Sequence, residues 1–232
     1  MDKPCSTHFF INLKYLAMMN TIDNETTAQR NLTTLDKVYN LALNGIGGMS
    51  EPLEQFVSDY VSQYGRTEKA IDKMVAAQKL KLTTTGFVTG VGGLITLLIA
   101  IPADLASSLY VEMRMIAAIA SLRGYDIHSD QVKTLVYACM VGNALGDVVK
   151  QAGIKTATQL TVKKLLPKLT REIIVKINKA VGFRLLTKGG TKGLINAGKA
   201  IPLIGGIIGG GFNYFEVATY ARWAKAMFNE NA

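Results

Sequence analysis

The stretch PADLASSLYVEMRMIAAIASLRG, residues 102–124, carries the clearest helical pattern of the chain. Its apolar residues recur at steps of three and four, the spacing that aligns side chains on one face of an α-helix. These residues are Leu105, Leu109, Met113, Ile116, Ala117 and Ala120. Pro102 stands where a proline fits the first turn, and Gly124 stands where a glycine can end the helix. The stretch therefore predicts a long helix with defined ends.

Similar periodicity lies on both sides of this stretch. Upstream, a helical pattern begins near Thr27, and Ser50 and Thr67 are predicted to cap two further helices. Downstream, Ser129 is predicted to cap a helix that runs to about Gln151. We find no alternating strand pattern long enough to propose a sheet. The sequence thus predicts an all-α fold.

Two uncharged, Gly-rich runs interrupt the amphipathic pattern, over residues 82–103 and 200–215. The first run has 22 residues, close to the roughly 20 apolar residues that cross a bilayer core, but its four glycines and five threonines lower the hydropathy. Three interpretations stay open: a buried helix or hairpin, a re-entrant or interfacial membrane element, and a true span. The predicted fold class is a compact multi-helix domain with two Gly-rich apolar helical segments or hairpins.

Length and composition exclude several classes of protein. The chain has 232 residues, of which 49% are hydrophobic and 19% are charged, so it is not a disordered chain. Its two cysteines are too few for a disulfide scaffold. Residues 1–24 are predicted to be poorly structured or to precede the true start, for which Met18 and Met19 are candidates. Residues 25–232 are predicted to form a single all-α domain.

The net charge of +9 is concentrated in one segment. Residues 150–199 hold twelve Lys or Arg and a single acid, Glu172, whereas the rest of the chain is slightly acidic. A helical wheel places Val162, Leu166, Leu169, Ile173 and Ile177 on one face of a basic amphipathic helix, which Pro167 is expected to kink or divide. We predict that anionic lipid is bound by Lys163, Lys164, Lys168, Arg171, Lys179, Lys188 and Lys192.

Few residues suggest catalytic or metal chemistry. Asp104 and Glu112 fall on one face of the helix predicted over residues 102–124, and Arg114 is available to pair with a buried carboxylate. A structural ion pair or cap and a polar functional site are both open interpretations. His128 lies between two aspartates, a pattern more typical of a turn and cap than of a metal site. We predict no catalytic residue, no metal and no cofactor.

Several motifs resemble the EcsC protein family. They are TGVGGLITLLIAIPADLA at residues 89–106, RMIAAIASLRGYD at 114–126, VKTL at 132–135, IPLIGG at 201–206 and AMF at 226–228. The resemblance covers roughly residues 50–229. The positions that match the family motif are Gly90, Gly92, Gly93, Pro102, Asp104, Arg114, Gly124, Tyr125 and Asp126. Asn213 departs from the family pattern, where an Asp is expected in many members.

The family takes its name from a protein encoded beside the subunits of an ABC transporter. The resemblance implies a bacterial protein with no settled active site to carry over. Together with the charge pattern it predicts a membrane-associated accessory protein linked to ABC transport or the cell envelope. We expect it in the cytoplasm, peripheral or partly inserted at the inner face of the cytoplasmic membrane, with anionic lipid and a membrane-protein or transporter partner. Two alternatives stay open: an enzyme with a carboxylate-centred site near Asp104 and Glu112, and nucleic-acid binding, which the scarcity of aromatic residues in the basic segment disfavours.

Overall fold

The computed structural model describes residues 7–83, 93, 95, 103–155, 161–187 and 210–229. These ranges contain nine α-helices and no strand, which confirms the predicted all-α fold. The helices are α1 (Thr7–Asn44), α2 (Leu53–Tyr64), α3 (Glu68–Thr83), α4 (Ala103–Leu122), α5 (Asp130–Cys139), α6 (Leu145–Gln151), α7 (Val162–Leu165), α8 (Arg171–Gly182) and α9 (Gly210–Met227). Most residues of the two Gly-rich runs lie outside the described ranges. Between α3 and α4, Gly93 and Ile95 are described and have helical backbone, and residues 210–215 of the second run belong to α9.

Helix α4 is the centre of the bundle. It packs against α1, α2, α3, α5 and α9. All residues from Leu109 to Ala120 are buried, so the helix is enclosed on every side rather than on the single apolar face that its spacing predicts. An 18-residue stretch of α4, Leu105–Leu122, is long and apolar enough to cross a bilayer, but 83% of it is buried in the bundle, as in the core helix of a soluble protein.

The end of α4 confirms the prediction for Gly124. This glycine has φ +82° and donates its N–H to the carbonyl of Ser121 at 2.9 Å. The N–H of Tyr125 donates to the carbonyl of Ala120 at 3.0 Å, which completes a Schellman turn. The ring of Tyr125 then packs against Phe228, with 5.5 Å between the ring centroids.

Helix α1 begins at Thr7, well before the start predicted near Thr27. The polar residues Asn12, Lys14, Asn20 and Asn24 interrupt the apolar pattern there, and for that reason the periodicity did not reveal the helix. The backbone of residues 7–24 is helical, whereas the domain boundary at residue 25 stays a prediction.

The helix predicted from Ser129 to about Gln151 is broken in two. Ser129 caps α5 as predicted, since its Oγ accepts the N–H of Val132. The chain then bends by 119° between α5 and the segment Gly142–Gln151. Gly142 has φ +52° and packs against Tyr220 and Trp223 of α9, so a glycine inside an apolar pattern marks the bend. Cys139 is buried at the end of α5, and burial raises the pKa of its thiol.

Candidate functional site

The charged residues of α4 occupy buried positions. Arg114 is 0% exposed and Glu112 is 4% exposed. Asp104 lies in the first turn of α4, and its side chain lies outside the described residues. A buried charge requires partners, and the partners of Arg114 lie outside its own helix, in Ala42 and Glu51.

Arg114 joins the end of α1 to the start of α2. Its Nη1 donates to the carbonyl of Ala42 at 2.9 Å. Its Nη2 donates to the carbonyl of Glu51 at 2.7 Å and to the Glu51 carboxylate at 3.2 Å. The guanidinium also lies 5.1 Å from the ring centroid of Phe56. Because Ala42 is in the last turn of α1, where carbonyls lack helical partners, Arg114 satisfies a group that the helix leaves open.

Ser50 takes part in the same contacts instead of capping α2. The residue before α2 is Pro52, which offers no side-chain cap, so the predicted capping role of Ser50 is wrong. The Oγ of Ser50 accepts the N–H of Ile46 at 3.0 Å and forms a short hydrogen bond with the hydroxyl of Tyr110. Burial raises the pKa of Tyr110 despite this hydrogen bond, so its phenol is neutral at physiological pH.

Lys81 brings a second cation to this region. Its Nζ lies 5.6 Å from the ring centroid of Phe56. Partial burial lowers the pKa of Lys81, the charge of Arg114 lowers it further, and Glu51 opposes both effects. We call Ser50, Glu51, Lys81, Tyr110 and Arg114 the Arg114 cluster. Because backbone carbonyls and Glu51 occupy both terminal nitrogens of Arg114, the cluster holds the α1–α2 connection in place.

The hydrogen bond between Tyr110 and Ser50 can be tested by a double-mutant cycle. We expect Tyr110→Phe to lower the free energy of unfolding by about 1 kcal/mol, since it removes one hydrogen bond in a partly buried setting. Ser50→Ala should cost about as much, because the N–H of Ile46 keeps the Ser50 carbonyl as an acceptor at 3.0 Å. The double variant should cost less than the sum, with a coupling of about 0.5–1 kcal/mol measured by urea unfolding. Strict additivity would contradict a direct contact.

The residues around His128 form a polar turn. The carboxylate of Asp126 accepts the N–H of His128 at 2.9 Å, and Asp130 pairs with Lys133 at 3.0 Å. The Nε2 of His128 lies 3.3 Å from the Glu54 carboxylate on the surface. Within the described part of the chain, no group of three or more His, Cys, Asp or Glu is placed to hold a metal ion.

The positions that match the family motif are spread through the fold. Arg114 is in the Arg114 cluster, Gly124 and Tyr125 form the turn after α4, and Asp126 begins the polar turn. Gly93 lies in helical backbone. Gly90, Gly92 and Pro102 lie outside the described residues.

The basic segment is divided at Pro167, as expected from its sequence. Pro167 lies in a 3₁₀ turn, Leu166–Lys168, that separates α7 from α8, as its missing N–H and fixed φ lead one to expect. Of the residues placed on the apolar face, Val162, Leu169 and Ile177 are buried in the bundle, whereas Leu166 is exposed. Thr170 caps α8 by accepting the N–H of Ile173.

The cations of this segment lie on the outside of the bundle. We call the exposed residues Lys163, Lys164, Lys168, Arg171, Lys176 and Lys179 the basic surface. Lys188 and Lys192 lie outside the described residues. Two large apolar side chains are exposed on α8 and the π-helical turn Phe183–Thr187 that follows it: Val175 at 42% and Phe183 at 55%.

Comparison with known proteins identifies one family. A family model described as the EcsC protein family matches residues 14–230, nearly the whole chain. No curated protein and no solved structure matches the chain.

Proposed function

The chain belongs to the EcsC protein family, which brings no settled active site with it, and we propose that the protein is a membrane-associated accessory protein. In this proposal the basic surface docks on anionic lipid at the inner face of the cytoplasmic membrane. The docked domain serves a partner in ABC transport or the cell envelope. The observation that carries the proposal is the separation of charge between the basic segment and the rest of the chain.

The described part of the basic segment supports this docking. Residues 161–187 hold seven Lys or Arg and one acid, Glu172, and the six cations of the basic surface are exposed. Each Lys or Arg near an anionic bilayer contributes about 1 kcal/mol of attraction. Several such residues within one segment of an otherwise slightly acidic chain favour contact with negative charge through that segment.

The core of the bundle favours peripheral contact over insertion through α4. Most of this helix is buried against five neighbours, so exposing it to lipid would dismantle the core. The polar contacts of Arg114 with Ala42 and Glu51 would be broken as well. Within the described residues, a bundle that keeps these contacts meets a bilayer through its surface rather than through α4.

Charge reversal on the basic surface tests the proposal. We expect the wild type to co-sediment with vesicles that contain phosphatidylglycerol and to bind less as the salt concentration rises. Lys168→Glu with Lys179→Glu should weaken this binding by at least about thirtyfold, since two attractive charges of about 1 kcal/mol each are lost. The matched control is Lys37→Glu with Lys73→Glu, which reverses two exposed lysines of α1 and α3.

The control should bind nearly as well as the wild type, because it leaves the basic surface intact while its net charge equals that of the test variant. Equal weakening in both variants would show that net charge alone matters and would remove the basic surface from the proposal. Wild-type binding that does not change with the anionic lipid content of the vesicles would contradict electrostatic docking. Salt-sensitive binding to duplex DNA without vesicle binding would favour a nucleic-acid partner instead.

A further inference from the structure

We propose that the folded domain contacts the bilayer through the outward face of α8 and the π-helical turn, with Val175 and Phe183 entering the interface while α8 stays packed on α1. This inference rests on the proposed docking to anionic lipid. It adds the residues that penetrate the bilayer, the orientation of the domain and the state of the helix when it binds.

The outward face of α8 alternates apolar and basic side chains. Val175, Lys179 and Phe183 follow one another at steps of four, so they line up along one side of the helix. Lys176 lies beside them and is exposed. Glu172, the acid of the segment, is confined to the first turn of α8, where a carboxylate suits the positive end of the helix dipole.

Exposed apolar side chains of this size are few on the described surface. The large hydrophobic residues exposed there are Met49, Leu80, Leu166, Val175 and Phe183. Three of them fall within the 27 residues 161–187 that also carry the basic surface. Apolar side chains surrounded by lysines suit the boundary between the acyl chains and the head groups of a bilayer. The apolar side chains and the lysine stems contact the acyl region, while the ammonium groups reach the phosphates.

The opposite face of α8 is already used by the bundle. Ile177, Val181 and Gly182 are buried. A Cβ built on Gly182 would lie 3.4 Å from the Cβ of Asn31, which shows how closely α8 approaches α1. Insertion of this inward face into lipid would first require α8 to leave the bundle. The outward face needs no such rearrangement, and it is therefore the face that we assign to the bilayer.

Removing the two apolar side chains separates insertion from charge attraction. We expect Val175→Ser with Phe183→Ser to weaken binding to phosphatidylglycerol vesicles by about tenfold at low salt, because burial of these side chains is lost while every charge remains. The larger change should appear at high salt, where the wild type retains weak binding and the variant retains none. The matched control is Met49→Ser with Leu80→Ser, which removes exposed apolar side chains elsewhere and should bind like the wild type.

A reversible cross-link tests whether α8 stays packed. The close approach of Asn31 and Gly182 suits a disulfide, in which the two Cβ atoms lie about 3.8 Å apart. We propose Asn31→Cys with Gly182→Cys in a Cys5→Ser background, and Cys139 can stay because it is buried. The oxidised and reduced forms should bind vesicles equally.

The outcomes of the two experiments separate this inference from the proposed function. Loss of binding on oxidation, restored by reduction, would show that α8 must leave the bundle and would overturn the inference. So would wild-type behaviour of the Val175 and Phe183 variant at high salt. In both cases charge-dependent docking of the wild type would stand. Absence of wild-type binding to anionic vesicles would overturn the docking and this inference together.

Discussion

Replacing Arg114 by methionine is expected to lower the free energy of unfolding by about 3–5 kcal/mol, since two carbonyls lose their donor at about 1–3 kcal/mol each. The substitution leaves the carbonyls of Ala42 and Glu51 without their donor. It also removes the guanidinium packed on Phe56. Methionine fills much of the space but donates no hydrogen bond, so the loss reports the polar contacts rather than a cavity. Urea unfolding followed by circular dichroism measures the effect.

Arg66 supplies the matched control for this substitution. Its Nη1 also donates to two backbone carbonyls, at 2.7 Å to Leu122 and at 3.3 Å to Ser121. Arg66 is exposed, so water can replace its hydrogen bonds, and Arg66→Met should cost only about 1 kcal/mol or less. Similar costs at the two positions would show that burial does not make the contacts of Arg114 special.

The second large effect is expected at Gly45, the residue that ends α1. It has φ +76°, and a Cβ built there would lie 2.6 Å from the carbonyl oxygen of Glu51 and closer still to that of Ser50. Both neighbours are backbone atoms: the Glu51 carbonyl is held by Arg114 and the Ser50 carbonyl by the N–H of Ile46, so they cannot move aside cheaply. We expect Gly45→Ala to cost at least about 3 kcal/mol, from a strained backbone together with a steric clash.

Substitution of Gly48 measures the cost of backbone strain without a steric clash. It has the same φ of +76° but no atom within 4 Å of the built Cβ. Gly48→Ala should therefore cost about 1 kcal/mol, the conformational part alone. The difference between the two variants, measured by urea unfolding, gives the energy of the close approach. A Gly45→Ala variant as stable as Gly48→Ala would mean that the connection between α1 and α2 can relax.

The features predicted correctly from the sequence are local ones. Gly124 ends α4, and Thr67 and Ser129 cap the helices that follow them. Each of these signals involves residues within one or two turns, so spacing alone reveals them. Pro167 divides the basic segment for an equally local reason.

The features that the sequence did not reveal depend on distant contacts. Glu51 and Arg114 are 63 residues apart in the chain, so no spacing argument could pair them. The bend at Gly142 lies against Tyr220 and Trp223 of a helix at the other end of the chain. Ser50 resembles an N-cap in the sequence, but Tyr110 offers its hydroxyl a partner from across the bundle.

The basic segment illustrates both cases. The basic segment is evident from the sequence because its charge depends only on the number of Lys and Arg residues. The wheel placed Ile177 on the apolar face, and this residue is buried in the bundle, but periodicity cannot tell whether an apolar face meets protein or lipid. Val175 and Phe183 are exposed because α1 and α5 cover the opposite, inward face of α8, and this packing depends on contacts between distant parts of the chain.

The enclosure of α4 has a consequence for how this chain can diverge in evolution. Each residue from Leu109 to Ala120 is buried, and the helix faces five partners. A substitution there must satisfy several surfaces at once, so compensating changes would be needed in more than one helix. We expect variation to accumulate instead on α2, whose outward face can change without altering the core.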